Sequence, residues 1–420
     1  MRWLLGLMAI TLWADNWPAW RGPTANGISA EKGFPSEWSA TKNVAWKTPI
    51  PGRGRSSPIV WGDRIFLTAD IDGDVIPGAK PPIHLLDGKE FLHPDSQGAN
   101  RAHQLVLLSL DRKTGRILWQ KTAHSGQVYD DRHKAGSYAA PTPTTDGRSV
   151  FAYFGSEGLF AYDYDGKLLW KFSPGPIKTI GMGHGTSPIL AGDRILLQCD
   201  NADEKKSFLI ALNKKTGKPL WRVDRPVNIT WNTPLLVNGA LITAATEKVI
   251  AYDLKTGKEL WEAPGIKGNA VPSPVSGNGI AVVSAGYPDK YAYAVGPGGK
   301  VLWTYAKGTA YVPSPIFYGL HVYLMTDKGL LTCIDAKSGG VLYEGKRPPV
   351  PATFLSSPVA YDGKILIISE DGDSFVIQAG PDHKVLATNS IGEPVLSSPA
   401  LSSGMIFVRG KDHLFAIATP

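Results

Sequence analysis

Three side chains with binding chemistry recur at one position of a repeated sequence pattern. Arg55 and Trp231 each lie three residues before the proline of a Ser/Thr-Pro step, and Tyr138 lies three residues before Pro141, which we assign to the step of blade two. The equivalent position is apolar in four later copies of the step, at Val271, Val312, Leu355 and Leu396. An arginine can pair with an anion, and aromatic rings can stack on a planar ligand. These departures from the apolar pattern predict a small-molecule pocket where the steps converge.

Five further residues close to the same steps complete the predicted ligand-binding set. They are His133, Lys134, His184, Asn232 and Tyr311. Convergent polar and aromatic groups of this kind are typical of small-molecule sites. The alternative interpretation is that all of these side chains only cap a channel at which the repeats meet.

Histidines are concentrated in the first half of the chain. Six of the nine are His84, His93, His103, His124, His133 and His184. A zinc site is expected to show closely spaced ligands such as His-x-x-x-His, and no such spacing occurs. Solvated loop histidines are the simpler interpretation, so no metal site is predicted. Residues 370–373 resemble part of a calcium loop, but its remaining ligands are missing and a hairpin turn is expected there.

The Ser/Thr-Pro step and a second, tryptophan-containing motif define a repeat. The prolines of the step are Pro58, Pro141, Pro188, Pro234, Pro274, Pro315, Pro358 and Pro399. The second motif reads Asp-x-x-Thr-Gly-x-x-x-Trp in its clearest copies, residues 111–119 and 253–261. Both recur about every forty to fifty residues, the period of a propeller blade built from several short strands. The sequence therefore predicts an all-β fold, an eight-bladed β-propeller of four-stranded blades.

The two ends of the chain are predicted to close this ring together. The last repeat places strands at residues 405–409 and 414–418 and ends without a fourth strand. Residues 43–47 resemble a fourth strand that no blade precedes. Joined, the two ends complete blade eight and leave no open edge. The predicted organisation is a signal peptide at 1–14, a lead-in segment at 15–42 and the propeller at 43–420.

Long connections cluster on one face of the predicted ring. They are an insertion at about residues 71–102 in blade one, a segment at 121–138 leading into blade two and a segment at 173–185 leading into blade three. Connections of this length are commonly functional or disordered. Binding residues concentrate on loops held by a rigid scaffold, so we expect the site on the loop face of blades one to four.

Charge and composition exclude several classes of protein. The net charge is +7, but the basic residues are spread through the repeated turns, so nucleic-acid binding is not expected. Arg2 and the apolar stretch after it predict an export signal, and hence a periplasmic or secreted protein. No later segment has the roughly 20 apolar residues of a membrane span. Cys199 and Cys333 are expected to be buried and unpaired, and the protein is expected to be a monomer.

The motif copies at residues 111–119 and 253–261 resemble the blade-docking motif of the pyrroloquinoline-quinone (PQQ) repeat family, and the resemblance covers residues 43–420. This family includes PQQ-dependent alcohol dehydrogenases and the non-catalytic outer-membrane assembly factor BamB. The resemblance implies the propeller scaffold and makes PQQ with calcium a candidate cofactor. The chain departs from the catalytic members because it has no adjacent Cys-Cys pair and no Cys-x-x-Cys-His haem motif.

Three functions are compatible with these features. The first is an exported, non-catalytic propeller that binds a protein partner or a small ligand on the loop face of blades one to four. The second is a minimal PQQ-dependent oxidoreductase, in which Arg55 or Lys134 pairs with the cofactor carboxylates and Trp231 stacks on its ring. The third is a carbohydrate-binding or carbohydrate-active protein that uses Tyr138 and Trp231 as stacking platforms. The missing redox motifs favour the first.

Overall fold

The computed structural model describes residues 16–86 and 88–419. Within them the chain forms eight consecutive antiparallel sheets, which are the blades of a propeller. The eight-bladed all-β fold predicted from the repeats is confirmed. The predicted signal peptide at 1–14 lies outside the described residues.

Each blade contains four strands in sequence order, of which the first is innermost. In blades one to four they are Ile59–Trp61, Arg64–Val75, Arg101–Asp111 and Ile117–Gln127; Thr144–Thr145, Ser149–Tyr153, Leu159–Asp163 and Leu168–Phe172; Ile189–Ala191, Arg194–Cys199, Phe208–Asn213 and Pro219–Asp224; Leu235–Val237, Ala240–Ala245, Lys248–Asp253 and Glu259–Pro264. In blades five to seven they are Val275–Gly277, Ile280–Ala285, Tyr291–Val295 and Val301–Tyr305; Ile316–Tyr318, His321–Met325, Leu331–Asp335 and Val341–Lys346; Val359–Tyr361, Lys364–Ile368, Asp373–Gln378 and Val385–Ser390. Blade eight joins Ala400–Ser402, Met405–Arg409 and His413–Ile417 to Val44–Pro49.

The closure predicted for blade eight is confirmed. Val44–Pro49 pairs antiparallel with His413–Ile417, with Lys47 opposite Phe415. The strand runs to Pro49, two residues beyond its predicted end. The first and last strands of the propeller pair with each other in blade eight. The last strand of the chain is therefore not left as an open sheet edge.

Burial follows the position of a strand within its blade. In blade three, Phe208–Asn213 is buried at every residue but the last, whereas Pro219–Asp224 alternates between exposed and half-buried residues. The central strands are covered by neighbouring blades on both faces, and they therefore have nearly continuous apolar sequences. This outer strand ends at Asp224, three residues beyond Trp221.

Tryptophans of the repeated motif attach one blade to the next at five of the eight junctions. Their indole N–H groups donate to backbone carbonyls in the neighbouring turn at 2.8–3.3 Å, in the pairs Trp46–Arg112, Trp119–Tyr164, Trp170–Lys214, Trp221–Leu254 and Trp303–Ala336. A glycine of the turn lies against the ring. Gly257 has a φ of +72°, and a Cβ there would lie 2.6 Å from Trp221. The motif needs glycine in the turn because the tryptophan ring of the preceding blade occupies the space that a side chain at this position would fill.

Two smaller sheets belong to the insertion in blade one. His84–Leu86 and Lys89–Phe91 form a hairpin, and Ser96–Gln97 pairs with Arg132–His133 from the segment leading into blade two. A third short strand, Ile28–Ser29, adds in parallel to the inner edge of blade seven. The insertion and the lead-in segment are thus tied to the propeller by backbone hydrogen bonds.

Helical structure in the described residues is limited to single 3-10 turns at Gly155–Glu157, Glu204–Lys206 and Pro297–Gly299. No helix in this part of the chain is long and apolar enough to cross a membrane. Cys199 and Cys333 are free and buried, as predicted. Burial raises the pKa of both thiols to about 12, so they behave as small apolar core residues.

Candidate functional site

A cavity of about 460 Å³ lies at one end of the central channel. All eight blades contribute to its wall, chiefly through residues just before and within the Ser/Thr-Pro steps. His93 from the insertion and Trp20 from the lead-in segment also line it. The cavity therefore forms where the sequence predicted that the steps converge.

A ring of hydrogen bonds between blades forms the throat of this cavity. At seven of the eight blade junctions, the backbone N–H of the Ser or Thr in the step donates to the hydroxyl of the equivalent residue in the next blade, at 2.8–3.0 Å. The ring runs through Ser57, Thr142, Ser187, Thr233, Ser273, Ser314, Ser357 and Ser398. In the seven steps other than that of Ser57, loss of the hydroxyl would leave a buried N–H without an acceptor.

The junction between blades eight and one is bridged differently. Arg409 is buried in blade eight and donates from Nη1 to the carbonyl and hydroxyl oxygens of Ser56, at 3.2 and 2.8 Å. The same atom donates to the carbonyl of Thr68 at 2.8 Å. The charged side chain thus joins the two blades that close the ring.

The lead-in segment crosses the channel and closes the cavity from below. Trp17 forms paired backbone hydrogen bonds with Val60 in blade one, and Ile28 lies opposite Ala360 in blade seven. Between these points the Nε1–H of Trp20 donates to Ser273 Oγ at 3.2 Å. Trp20 therefore forms the floor of the cavity.

The wall has two chemically different halves. The polar half, from blades one to four and the segments leading into them, contains Arg55, His133, His184 and Trp231. The apolar half, from blades five to eight, contains Val271, Val312, Leu355 and Leu396, and Tyr311 lies beside Val312. Five of the eight predicted ligand-binding residues line the cavity: Arg55, His133, His184, Trp231 and Tyr311.

Arg55 is the cation of the cavity wall. Its Nε is buried and has no hydrogen-bond partner among the described residues. Burial lowers the pKa of Arg55, partly offset by the Glu370 carboxylate and reinforced by the Arg132 guanidinium. A guanidinium stays protonated at neutral pH even so. Arg55 therefore presents a positive charge with an unused donor.

Hydrogen bonds define the protonation of two histidines in the wall. His184 Nε2 accepts the N–H of Ser156 at 3.4 Å, and burial lowers the pKa of His184 to about 4. His184 is therefore neutral at pH 7 and carries its proton on Nδ1. His133 Nδ1 accepts the N–H of Ala135 at 3.2 Å, which leaves the proton on Nε2, 3.4 Å from an Asp95 oxygen. Burial likewise lowers the pKa of His133.

Three of the predicted residues do not line the cavity. Lys134 is exposed and its Nζ pairs with Asp95 at 2.9 Å. Tyr138 is buried and its hydroxyl donates to the Asp130 carbonyl at 2.8 Å. Asn232 is also buried, and its amide donates to the Ala244 carbonyl at 2.8 Å. Tyr138 and Asn232 hold loops in place and present no surface to a ligand.

The lining residues that the sequence did not identify as binding residues include Trp20, His93 and Met182. Trp20 lies in a segment without repeats, so its sequence position gave no sign of a place in the channel. His93 was grouped with solvated loop histidines, and its ring lies 6.0 Å from that of His133. The sequence signal that could have pointed to His93 was the concentration of histidines in the first half of the chain.

The three long connections contact one another, which fixes the insertion beside the cavity. His84 Nε2 lies 2.8 Å from Asp130 Oδ1, and both side chains are buried. Asp130 Oδ2 accepts the N–H and the hydroxyl of Thr179 at 2.7 and 2.9 Å. These residues come from the insertion and from the segments leading into blades two and three, which the sequence predicted to share a face.

One cluster outside the cavity has spacing suited to a metal. Ligand atoms of Asp70, Asp72 and His103 lie within 4.8 Å of one another. However, His103 Nδ1 is 2.8 Å from Asp70 Oδ1 and its Nε2 is 3.0 Å from the Gly98 carbonyl. Asp72 pairs with Arg53 at 2.7 Å. The cluster is a hydrogen-bonded ion network with its own cations, and no metal is assigned to it.

Fold and cavity together define a PQQ-like repeat propeller with a channel closed at one end by its own lead-in segment. The sequence model of the family described as outer membrane protein assembly factor BamB matches residues 102–341, more than half of the chain. The chain belongs to this family.

Individual relatives are more distant. Tetrathionate hydrolase of Acidithiobacillus ferrooxidans is 23% identical over 358 residues, covering 78% of this chain and 65% of that protein. BamB of Escherichia coli is 29% identical over 168 residues, covering 40% of this chain and 41% of that protein. BamB of Burkholderia pseudomallei is 25% identical over 319 residues, 63% and 77% of the two chains. The chain thus spans less than two thirds of the length of the first two relatives.

Solved structures with the same architecture include two dehydrogenases. A europium-containing methanol dehydrogenase superposes with a TM-score of 0.64 at 12% identity, over 94% of this chain and 89% of that one. The quinohemoprotein alcohol dehydrogenase from Comamonas testosteroni superposes with a TM-score of 0.66 at 11% identity, over 97% and 81%. At such low identity the likeness shows a shared fold and does not extend to activity.

Proposed function

We propose that this chain is an exported binding protein that holds a small anion in the channel cavity. The lining carries the proposal. It contains Arg55 and the histidines His93, His133 and His184, and none of the described residues that line it is an aspartate or a glutamate. A cavity lined by a cation and by histidines, with no carboxylate in its described lining, favours a negatively charged ligand.

Arg55 supplies most of the expected attraction. The Arg55 side chain makes no hydrogen bond or ion pair within the described structure, so a carboxylate or sulfonate that pairs with its guanidinium at the cavity adds a hydrogen bond without breaking another. The guanidinium is already partly removed from water, which strengthens a charged hydrogen bond relative to one on the surface. The closed floor at Trp20 confines the ligand to the side of the channel where Arg55 lies.

Two lines of support come from the relatives. One relative is named for tetrathionate, a small dianion, and the family is described by the assembly of outer membrane proteins. The second description, together with the export signal predicted at residues 1–14, supports a periplasmic or secreted location. We therefore propose that the ligand is bound outside the cytoplasm and that the binding step itself is non-catalytic.

The cavity does not fit a calcium-bound quinone. Calcium takes six to eight oxygen ligands, commonly including carboxylates, and the described residues of the lining supply no carboxylate. Lys134, which was predicted to pair with cofactor carboxylates, pairs with Asp95 outside the cavity instead. No redox step is derived for this chain.

Calorimetric titration of the chain lacking residues 1–14 tests the proposal with two probes, naphthalene-2-sulfonate and tetrathionate. We expect saturable one-to-one binding of at least one probe. Arg55→Gln should weaken it about tenfold or more, because a hydrogen bond to a charged group contributes about 1.5–3 kcal/mol. Arg116→Gln removes the same charge from an exposed turn and should bind like the wild type. Absence of binding by both probes, or equal weakening in the two variants, would contradict the proposal.

A protein partner is the second candidate. The insertion beside the cavity exposes four large apolar side chains, Val75, Ile83, Leu85 and Leu92, each at 57–65% of full exposure. Exposed apolar groups concentrated in one element are typical of protein interaction sites. The family description makes an unfolded outer-membrane β-barrel protein the natural probe, with binding followed by fluorescence anisotropy.

A further inference from the structure

The division of the cavity wall into a polar and an apolar half narrows the chemistry of the ligand. The inference rests on the proposed function, because it concerns the same cavity. A site for a small hydrated anion needs donors and charge, and it has no use for a wide hydrocarbon surface. Half of the blades nevertheless contribute hydrocarbon to this wall.

The apolar half is a surface and not a buried core. Val271, Val312, Leu355 and Leu396 line the cavity and are only half-buried. They occupy one equivalent position in four successive blades, so they form a continuous arc. Water against such an arc is unfavourable, and a ligand that covers it with hydrocarbon gains affinity in proportion to the apolar area removed from water.

The cation lies next to this arc. Arg55 belongs to blade one and Leu396 to blade eight, and these blades are neighbours because the ring closes between them. The contact of Arg409 with Ser56 spans the same junction. A ligand whose charged group pairs with Arg55 can therefore lay its remaining atoms against the apolar half without crossing the cavity.

The floor extends the apolar surface. The Nε1–H of Trp20 is used inside the protein, in its hydrogen bond to Ser273 Oγ at 3.2 Å. What the indole offers a ligand is hydrocarbon and an aromatic face. Trp20 and the apolar half thus form two adjoining apolar surfaces beside one cation.

We propose that the ligand is an amphipathic organic anion, with a carboxylate or sulfonate at Arg55 and a hydrocarbon or aromatic part against the apolar half and Trp20. An inorganic anion would leave the arc uncovered. A saccharide would place hydroxyl groups against four side chains that offer no hydrogen bond, which is unfavourable. The polar and apolar halves of the cavity wall therefore favour a ligand that has both a charged group and an apolar part.

Two sulfonates with the same charged group measure the contribution of the apolar part to affinity separately from that of the charge. Naphthalene-2-sulfonate carries the aromatic part, and methanesulfonate lacks it. We expect methanesulfonate to bind at least roughly thirtyfold more weakly, since each buried methylene-sized group contributes about fourfold. Val312→Thr keeps the side-chain volume but adds a hydroxyl to the arc. It should weaken naphthalene-2-sulfonate about fourfold or more and methanesulfonate less than about twofold.

The matched control is Val341→Thr on the exposed outer strand of blade six, where the side chain is 46% exposed. It should leave the affinity for both sulfonates unchanged. Leu355→Ala provides a second variant of the arc, and thermal melting confirms that each variant is folded. Neutral naphthalene-2-sulfonamide should bind about tenfold or more weakly than the sulfonate and should not respond to Arg55→Gln.

The outcomes of these titrations test the amphipathic ligand and the anion site separately. Equal affinity for the two sulfonates, or equal weakening of both by Val312→Thr, would overturn the amphipathic ligand while leaving an anion site in place. Sulfonamide binding as tight as sulfonate binding, or no binding of either sulfonate or of tetrathionate, would overturn the proposed anion site itself. Binding of tetrathionate without binding of naphthalene-2-sulfonate would overturn the amphipathic ligand alone. The inference is supported if the wild type binds naphthalene-2-sulfonate much more tightly than methanesulfonate, and if only Val312→Thr and Leu355→Ala reduce this difference in affinity.

Discussion

The chemistry of individual side chains is set by their hydrogen-bond partners. Arg409 donates to three acceptors in blade one, whereas Nε of Arg55 has none among the described residues. Both ring nitrogens of His103 lie within hydrogen-bond distance of an oxygen, from Asp70 and from the Gly98 carbonyl. His184 instead accepts an N–H and is neutral. Arg55 and His184 lie at the cavity, so a ligand meets one fixed cation and one neutral donor.

Acid is expected to destabilise the protein through His184. Burial lowers the pKa of His184 to about 4, from the value of 6.5 expected in an unfolded chain. As the pH falls, the unfolded state binds the proton first, so this contribution is complete above about pH 6.5 and is lost towards pH 4. The loss reaches up to about 3 kcal/mol and is smaller where cavity water screens the ring.

Urea unfolding at pH 7.5 and pH 4.5 measures this effect. The wild type should lose more stability between the two pH values than His184→Gln, which has no ionisable group at this position. An equal loss in both proteins would show that another group governs the acid sensitivity. Melting curves in the absence of urea provide an independent check of the same difference.

Among the structural elements, the turn of the repeated motif is the unit that holds neighbouring blades together. Asp253 Oδ1 accepts the N–H and hydroxyl of Thr256 at 2.8 and 2.7 Å, which shapes the turn. Gly257 then lies against Trp221, whose indole N–H donates to the Leu254 carbonyl at 3.1 Å. One short motif therefore provides turn geometry, close packing and a hydrogen bond between blades.

Gly257→Ala is expected to destabilise the protein by roughly 2–4 kcal/mol. About 1–2 kcal/mol comes from the positive φ, and the rest from a Cβ that would lie 2.6 Å from Trp221. Gly239→Ala is the matched control, because Gly239 has a φ of +80° but nothing within 4 Å of its added Cβ. Urea unfolding should show the larger loss in Gly257→Ala. Equal losses would mean that packing against the tryptophan contributes nothing.

Elements with a repeated signature were predictable, and elements held by unique contacts were not. The blades, their tryptophan contacts and the strand that closes blade eight follow from periodicity and from the incomplete last repeat. The lead-in segment has no period, and its course across the channel depends on backbone pairing with Val60 and Ala360. The assignment of Pro141 to the step placed Tyr138 at the channel mouth, but the ring of hydrogen bonds runs through Thr142, so Ala140 occupies the equivalent position and lines the cavity. Tyr138 is buried behind it, with its hydroxyl bonded to the Asp130 carbonyl.

At the scale of the whole molecule, one N-terminal segment closes the ring of blades and another closes the central channel. Val44–Pro49 completes blade eight, and the lead-in segment then spans the channel from blade one to blade seven. The second closure turns an open channel into a cavity with a floor. Because every blade contributes to the wall, the cavity exists only in the closed ring. Its two halves follow from differences between early and late blades at one equivalent position.

A crystal structure of the chain lacking residues 1–14 with naphthalene-2-sulfonate tests the central claim most directly. The account predicts a single bound molecule on the Trp20 floor. Its sulfonate should lie within hydrogen-bond distance of Arg55, and its rings should lie against Val312 and Leu355. A ligand found only on the outer surface of the blades, or bound in the cavity with its sulfonate away from Arg55, would contradict the account.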